Sequence, residues 1–339
     1  MRAASIKDVA THAGVAVGTV SNVLNYPDRV AEKTRQRVLN SINELGFIRN
    51  DVARQLRAGH SRTIGLIVLD IGNPFFTSIS RAAEDAASES GNAVVLGNSG
   101  HDASRERHYI DLFEEQRVQG VLISPVSDIT ERLSALTARG TKVVLVDSPS
   151  SEGDFSSVSV DDVHGGYTAT KHLLDIGRRR IAFVAGPQQF HQVSDRLAGA
   201  RAAVAEVAGA TLEVLQASDL TVLAGRNVGD LLAERTGDSL PEGLFCANDL
   251  LALGVIQSLT MLHTLRIPED VALVGYDDID FAVSAVVPLT SIRQPTALIG
   301  RTAIELLAEQ MDNPDAKPRS VVFKPELVVR ASTAGTADH

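Results

Sequence analysis

The 339-residue sequence contains no tryptophan, a single cysteine and only 4% aromatic residues. The lone cysteine, Cys246, excludes an internal disulfide, which is typical of a protein that folds in a reducing compartment. No uninterrupted apolar run reaches the roughly 18 residues that a membrane helix requires. The N-terminal MRAASIKDVA lacks the basic and then apolar segments of a signal peptide. These absences predict a cytoplasmic protein that does not contact a membrane.

Sequence motifs of enzymes and metalloproteins are also missing. No GxGxxG follows the first predicted strand, no GxxxxGK precedes a Ser or Thr, and no GxSxG occurs anywhere. The nine histidines and the cysteine do not fall at the spacings of metal ligands. We therefore expect no cofactor, no metal and no enzymatic activity.

The charge of the chain is unevenly distributed. Its formal net charge is −10, but residues 1–62 carry ten Lys and Arg against five Asp and Glu. Subtraction from the totals of 32 and 42 leaves 22 basic against 37 acidic residues in the remainder. A basic N-terminal segment on an acidic body is the pattern expected when only that segment contacts nucleic-acid phosphates.

The basic segment predicts three short helices. The apolar residues Ile6, Val9, Ala10 and Ala13 define one face of the first helix, which Ser5 caps. Gly14 suits the tight corner that follows. A second helix begins near Val17, and a third runs from about Ala31 to Leu45. A helix, a glycine turn and a second helix with a small, polar outer face indicate a helix-turn-helix.

The same segment resembles the lactose-repressor (LacI) family of bacterial transcription regulators. The resemblance rests on IKDVATHAGV, TVSNVLN, RVAEKTRQRVLNSINELGFIRN and ARQLRAG, in that order at the N-terminus. It implies a DNA-binding domain over residues 1–48, a hinge helix over 49–61 and an effector-binding and dimerisation core over 62–339.

The resemblance also implies which residues contact DNA. Phosphate contacts are expected from Thr19, Ser21, Asn25, Arg29 and Asn50, which position the domain without reading sequence. Base contacts are expected from Val17, Gly18 and Asn22. In the hinge segment, Ala53 and Leu56 are expected to contact DNA, with Leu56 opening a base step as an apolar wedge.

This sequence departs from the family pattern at several of these positions. Val17 offers only apolar contact, Gly18 only backbone, and Asn22 favours adenine. Ala16 and Ala31 stand where the family usually has serine, so each loses a helix cap that contributes about 1 kcal/mol.

From Thr63 onward, apolar runs alternate with amphipathic stretches, which predicts parallel sheets covered by helices on both faces. The predicted strands are Ile64–Leu69, Ala93–Gly97, Gly120–Ser124, Lys142–Val146, Arg180–Ala185, Leu212–Leu215, Gly243–Cys246 and Val271–Gly275. The predicted helices include Ala103–Gln116, Val163–Ile176, Asp195–Val207, Leu250–Leu262 and Thr296–Met311.

Eight strands suit two stacked open sheets, and the resemblance implies two lobes like those of periplasmic binding proteins. The expected N-lobe comprises residues 62–160 and 294–323, and the expected C-lobe residues 161–291 and 324–332. The fold class is thus an all-α helix-turn-helix head joined by a hinge helix to an α/β core of two doubly wound parallel-sheet lobes.

Polar residues follow the predicted strands, where open α/β sheets bind ligands. Carboxylates, amides and a guanidinium beside aromatic rings suit a small polyol, whose hydroxyls both donate and accept hydrogen bonds. Any single Asp or Asn could instead cap a helix, and Asn248-Asp249 is the strongest candidate for that role. Candidate stacking rings, each of which could equally belong to the core, are Phe75, Phe155, Phe190, Phe245 and Phe281.

The resemblance narrows the set of effector-contacting residues. It implies contacts from Arg196 in DRLAGAR, Asn248 in FCANDLLALG, Asp277 in VGYDDIDF and Gln294 in LTSIRQP. It adds the turn containing Asn73 and Phe75, and Asp147 follows the fourth predicted strand.

The sequence therefore predicts a homodimeric repressor that binds a palindromic operator and is released by a small sugar or sugar-like effector. TAGTADH, after Ser332, has no leucine heptads, which argues against a coiled-coil tetramer. Three alternatives stay open: a co-repressor-dependent regulator that uses a purine or phosphorylated metabolite, a solute-binding protein and a doubly wound enzyme.

Overall fold

The computed structural model describes residues 4–47, 61–150, 153–187, 190–262 and 265–334. The chain divides into two compact units, residues 1–61 and 62–339, which we call the head and the core and describe separately.

The head contains α1 (Ile6–Ala13), α2 (Val17–Asn25), a 3-10 turn (Pro27–Arg29) and α3 (Glu32–Glu44). Its small core is built around Val9, Val20 and Val38, which are fully buried, one from each helix. The predicted three helices are thus present, and their apolar faces meet.

The ends of these helices follow from local chemistry. Ser5 and Asp8 form a reciprocal capping box at the start of α1, and Gly14 ends it in the left-handed region at φ 61°. Ala16 and Ala31, before α2 and α3, make no side-chain capping bond. Both helix starts therefore depend on packing in the head core.

The described part of the core contains twelve strands in two six-stranded sheets. The first sheet is parallel throughout, with the order β11-β5-β4-β3-β1-β2. Its strands are β1 (Thr63–Val68), β2 (Ala93–Asn98), β3 (Gly120–Ile123), β4 (Lys142–Val146), β5 (Ser156–Val160) and β11 (Ser320–Phe323). Its helices are α4 (Pro74–Glu89), α5 (Ala103–Glu115), α6 (Thr130–Ala138) and α12 (Thr296–Asp312). We call this sheet and its helices the N-lobe.

The second sheet has the order β12-β10-β9-β8-β6-β7, with β12 antiparallel to β10. Its strands are β6 (Arg180–Ala185), β7 (Thr211–Gln216), β8 (Gly243–Cys246), β9 (Ala272–Asp277), β10 (Thr290–Arg293) and β12 (Glu326–Val328). The helices that follow its strands or cover it are α7 (Asp162–Asp175), α8 (His191–Ala205), α9 (Val222–Ala233), α10 (Asp249–Leu262), α11 (Asp280–Ser284) and α13 (Ala331–Ala334). We call this assembly the C-lobe.

The chain passes between the lobes three times. It leaves the N-lobe after β5, returns after β10 to form α12 and β11, and enters the C-lobe again at β12. The C-lobe has one continuous apolar core. The N-lobe has one apolar cluster on each face of its sheet, against α4 and α12 on one side and α5 and α6 on the other.

Two helices of the C-lobe are in backbone contact. A Cβ added to Gly166 in α7 would lie 2.0 Å from the carbonyl oxygen of Arg196, and one added to Gly199 in α8 would lie 2.0 Å from that of Val163. Only glycine permits this approach. The crossing of α7 and α8 therefore fixes the backbone from which the Arg196 side chain projects.

No helix within the described ranges is long and apolar enough to cross a bilayer.

Candidate functional site

The start of α2 presents a small, exposed surface on the head. Val17, Gly18 and Asn22 are exposed, as predicted for residues that meet base edges. A Cβ added to Gly18 would meet no atom within 4 Å, and its φ is not left-handed. The packing of the head therefore does not require glycine at this position.

The predicted phosphate contacts lie around this surface. Thr19 and Ser21 are half-buried, whereas Asn25 and Arg29 are exposed. The Asn25 amide donates to the Ser21 carbonyl at 2.8 Å and to its hydroxyl at 3.2 Å. The guanidinium of Arg29 lies 4.7 Å from the ring centroid of Tyr26. Asn50, Ala53 and Leu56 lie outside the described residues, so their contacts with DNA stay predictions.

In the core, a cavity lies between the two lobes at the carboxyl ends of their strands. Its empty space, including the part open to solvent, is about 390 Å³. The structure brings together here six of the seven residues predicted to contact the effector, namely Asn73, Phe75, Asp147, Arg196, Asn248 and Asp277. The seventh, Gln294, does not line the cavity but donates a hydrogen bond to the Asp277 carboxylate. We call this the inner cavity.

Arg196 is held on three sides. Its Nε donates to Asp162 Oδ1 at 2.7 Å, and its Nη1 donates to the carbonyl of Ala247 at 2.7 Å. Its guanidinium lies 3.6 Å from the ring centroid of Tyr276. Burial alone would lower the pKa of Arg196, but Asp162 and the other anionic neighbours raise it overall. The guanidinium therefore stays charged, with Asp162 as its buried counter-ion.

Asp277 connects three segments of the chain. Its carboxylate accepts hydrogen bonds from Asn73 Nδ2 at 3.3 Å and from Gln294 Nε2 at 2.8 Å. Burial raises its pKa to about 6, while Arg196 and the two amides act in the opposite direction. Near neutral pH this group can accept hydrogen bonds from ligand hydroxyls.

Asp147 faces Asp277 from the N-lobe side of the cavity. It has a left-handed φ of 55°, and its Oδ2 accepts from Gln192 Nε2 at 2.9 Å. Burial, followed by repulsion from Asp162, raises its pKa to about 8. Oδ1 of Asp147 is buried with no hydrogen-bond partner among the described residues. Because a pKa near 8 leaves this carboxyl protonated near neutral pH, Oδ1 can carry the proton and donate it to a ligand oxygen.

Two polar residues that line the inner cavity were not predicted from the sequence. Gln192, in the first turn of α8, bonds to Asp147 across the cleft, and the ring of His101 lies 4.4 Å from that of Phe190. Both come shortly after the end of a strand, β6 and β2. The strand-end rule that located the other residues could therefore have found them, had it been extended past the first few positions.

The structure confirms the helix cap expected of Asn248 and corrects the one expected of Asp249. Asn248 does act as a cap, because its Oδ1 accepts from Leu251 N at 2.9 Å, and it still lines the cavity. Asp249 instead accepts from Ile279 N at 2.9 Å and from the Ser291 hydroxyl at 2.6 Å, so it joins the loop after β9 to β10 rather than capping α10.

Of the five candidate stacking rings, only Phe75 and Phe190 line the inner cavity. Phe245 packs in the C-lobe core against Phe183, and Phe281 is 58% exposed. Phe155 lines a different cavity. The strand-end position alone did not separate core aromatics from those that face a ligand.

Comparisons with known proteins agree with both halves of this description. Residues 5–50 match the family of bacterial regulatory proteins of the lacI type, and residues 170–333 match the periplasmic binding protein-like domain. The chain is 35% identical to the HTH-type transcriptional repressor PurR of Vibrio campbellii, over 96% of this chain and 98% of that protein.

Two solved structures extend the comparison. The transcriptional regulator CelR in complex with cellobiose is 33% identical, with a TM-score of 0.72 and coverage of 97% of this chain and 99% of CelR. The lac repressor dimer bound to operator and the anti-inducer ONPF is 27% identical, with a TM-score of 0.84 and coverage of 98% and 100%.

Proposed function

Since this chain belongs to the LacI family of bacterial transcription regulators and is an effector-responsive repressor, we propose that its effector is a small neutral polyol. The observation that carries this proposal is the convergence of Asp147, Asp277 and Arg196 on one cavity beside Phe75 and Phe190. The repressor binds operator DNA as a homodimer. Two heads related by a two-fold axis then meet two half-sites of a palindrome.

The exposed surface of α2 supports the assignment of sequence readout to Val17, Gly18 and Asn22. Thr19, Ser21, Asn25 and Arg29 lie where phosphate contacts would orient that helix in the major groove. Asn50, Ala53 and Leu56 complete the proposed DNA contacts by their place in the family motif. Because Val17, Gly18 and Asn22 depart from the pattern of the lactose repressor, the operator sequence is not expected to match that of the lactose repressor.

The polar groups of the inner cavity support a polyol. A sugar hydroxyl donates one hydrogen bond and accepts others, so it can satisfy both the unpartnered Oδ1 of Asp147 and the guanidinium of Arg196. Phe75 and Phe190 provide apolar surface for the C–H face of the ring. The cellobiose complex of CelR shows that a related core accommodates a sugar.

The charges of the cavity disfavour a phosphorylated or carboxylated effector. Among its described lining residues, only Arg196 and His101 can carry positive charge. Arg196 is already paired with Asp162 in a buried site, and burial lowers the pKa of His101. A phosphate would therefore meet the Asp277 carboxylate without a free counter-ion, which is costly in a buried site.

We propose that the effector acts as an inducer. The lobes already touch directly through the Asn73–Asp277 and Asp147–Gln192 hydrogen bonds. A ligand that replaces these bonds changes the angle between the lobes, and the N-lobes across the dimer transmit that change to the hinge segments. Coupling of this kind requires only that the two lobe arrangements bind operator and effector with different affinities.

The relatedness to repressors named PurR favours a second candidate, a purine co-repressor that would strengthen operator binding. The rings of His101 and Phe190, tilted by 41° with centroids 4.4 Å apart, offer aromatic surface to a planar base. The relatives are repressors, not enzymes. We accordingly propose no catalytic step, and we place the protein in the cytoplasm with its operator.

One experiment tests both parts of the proposal. Duplexes with a random central region are selected with the full-length protein at one stated salt concentration, because affinity for DNA depends strongly on salt. The enriched palindrome is then titrated with neutral sugars, sugar phosphates and purines. Release by a neutral sugar supports the proposal, whereas tighter binding with a purine would replace the polyol by the second candidate. Failure to enrich any palindrome in the presence of all three ligand classes would reject operator readout by the head.

A further inference from the structure

A second and larger cavity opens between the same two lobes. It encloses about 1040 Å³, including the part open to solvent. Its N-lobe side is formed by the loops after β3 and β4, and its C-lobe side by the start of α8. Among the residues that line it are Ser127, Ser148, Asp154, Phe155, His191 and Asp195. We call it the outer cavity.

The two cavities share one wall. Asp147 and Gln192 line the inner cavity, whereas their chain neighbours Ser148 and His191 line the outer one. Gln192 Nε2 donates to Asp147 Oδ2 at 2.9 Å and to the Asp147 carbonyl at 3.2 Å. Asp147 and Gln192 therefore lie between the two spaces, joined by hydrogen bonds that a ligand hydroxyl can exchange.

The outer cavity offers the same chemistry as the inner one. Ser148 is buried at its inner end, and Asp195 and His191 are half-buried on the C-lobe side. Phe155, which is 6% exposed, supplies an aromatic surface. Burial lowers the pKa of His191 and raises that of Asp195. The outer cavity has no lysine or arginine among its described lining residues, so it also lacks a counter-ion for a phosphate.

We propose that the outer cavity binds the second sugar unit of a neutral disaccharide whose first unit occupies the inner cavity. This inference rests on the proposed polyol effector and specifies its length. The junction of the two units lies beside Asp147, whose buried Oδ1 has no partner among the described residues. That carboxyl, protonated near neutral pH, donates to an oxygen at or near the glycosidic linkage, and the Gln192 amide turns from Asp147 to the ligand.

The test compares monosaccharides with the disaccharides built from them. Binding to the full-length protein is measured by calorimetry for glucose against cellobiose and maltose, galactose against lactose, and xylose against xylobiose. For at least one pair we expect the disaccharide to bind about tenfold more tightly or better, as one or two added hydrogen bonds in a buried site would produce.

Variants then locate the second unit. Asp195→Ala removes a polar group of the outer cavity, and Ser148→Leu fills part of it. Each should lower the affinity for the disaccharide about tenfold or more and leave that for the monosaccharide unchanged. Glu84→Ala, an exposed acid on α4, is the matched control. Operator binding is measured for each variant to show that the variant is folded. If one of the two variants does not fold, the other alone tests the proposal.

The outcomes separate this inference from the proposed function. If a monosaccharide binds as tightly as its disaccharide in every pair, or if both variants keep the disaccharide affinity, the outer cavity is not part of the site and the polyol effector stands. If no sugar binds while hypoxanthine or guanine does, the polyol proposal fails and this inference fails with it. Absence of binding by every sugar and purine would count against both.

Discussion

The side-chain amide of Asn73 donates a hydrogen bond to the carboxylate of Asp277 across the cleft, with 3.3 Å between Nδ2 and Oδ2. Asn73 stands at the start of α4 in the N-lobe, and Asp277 ends β9 in the C-lobe. The same Asn73 side chain accepts from the backbone N–H of Phe75 at 3.0 Å. One residue thus caps a helix and connects the lobes, so it senses any change in their separation.

Substitutions of Asn73 should weaken effector binding to different extents. Asn73→Ala loses both the bond to Asp277 and the cap, which contributes about 1 kcal/mol of stability. Asn73→Asp keeps a capping oxygen but places a carboxylate against Asp277. We expect the effector concentration for half-maximal operator release to rise in both variants, and to rise further in Asn73→Asp. An unchanged concentration in both would show that the lobe contact does not influence the effector site.

Arg196→Ala should lower the stability of the core as well as abolish the effector response. Removal of the guanidinium leaves Asp162 buried without its counter-ion, and breaking such a pair costs about 3–5 kcal/mol. The double variant Arg196→Ala/Asp162→Asn should recover part of this loss in denaturant unfolding while still failing to respond to effector. If the single and double variants are equally stable, the charge of Asp162 is not what Arg196 offsets.

Asp147 should make the stability of the core depend on pH. Its pKa is about 8 in the folded chain and near 3.8 in the unfolded one, so the folded state holds the proton more tightly. Its contribution is fully present below about pH 4 and is lost as pH rises towards 8. The loss is at most about 1.4 kcal/mol for each pH unit.

The variant Asp147→Asn cannot ionise and should escape this loss. The difference in free energy of unfolding between Asp147→Asn and the wild type should therefore increase in favour of the variant from pH 5 to pH 8. Subtraction removes the contributions of Asp277 and the other buried acids that both proteins share. Parallel stability curves over this range would contradict the assignment.

Gly18→Ala should change operator selection without harming the head. The added methyl group meets no protein atom within 4 Å, and alanine is favoured over glycine in a helix by up to about 1 kcal/mol. If α2 enters the major groove, the methyl group alters contacts that typically contribute about 1–3 kcal/mol per base pair. The ratio of specific to non-specific affinity at fixed salt measures this effect.

A control for Gly18→Ala is Asn43→Ala, at an exposed position of α3. Its ratio of specific to non-specific affinity should stay that of the wild type. Equal ratios for Gly18→Ala and the wild type would remove Gly18 from the readout surface.

Much of the fold could be predicted because the spacing of apolar residues identifies the longer strands and helices. The eight predicted strands correspond to β1 to β4 and β6 to β9, and the predicted helix Thr296–Met311 corresponds to α12. The strands that were missed, β5, β10, β11 and β12, are three to five residues long and lie where the chain passes between lobes. Ser156–Val160 has three serines and only two apolar residues, so its alternation is too short to identify a strand.

The sequence predicted which residues line the site but not which side chains form hydrogen bonds or ion pairs with each other. The strand-end rule and the family motifs located Arg196 and Asp277. Neither indicated that Arg196 pairs with Asp162, 34 residues earlier, or that Asp147 meets Gln192, 45 residues later. The first pair depends on the crossing of α7 and α8 within the C-lobe, and the second on how the two lobes close; local sequence encodes neither.

The backbone contact between α7 and α8 has a consequence for how this scaffold can change. Gly166 and Gly199 leave the two helices no room to slide, so the position of Arg196 is a property of the main chain. Phe190 and Leu220, in contrast, reach the cavity from the loops that precede α8 and α9. New ligand preferences can therefore arise by exchange of loop side chains while the charged anchor stays in place, which makes effector specificity evolvable without refolding of the lobe.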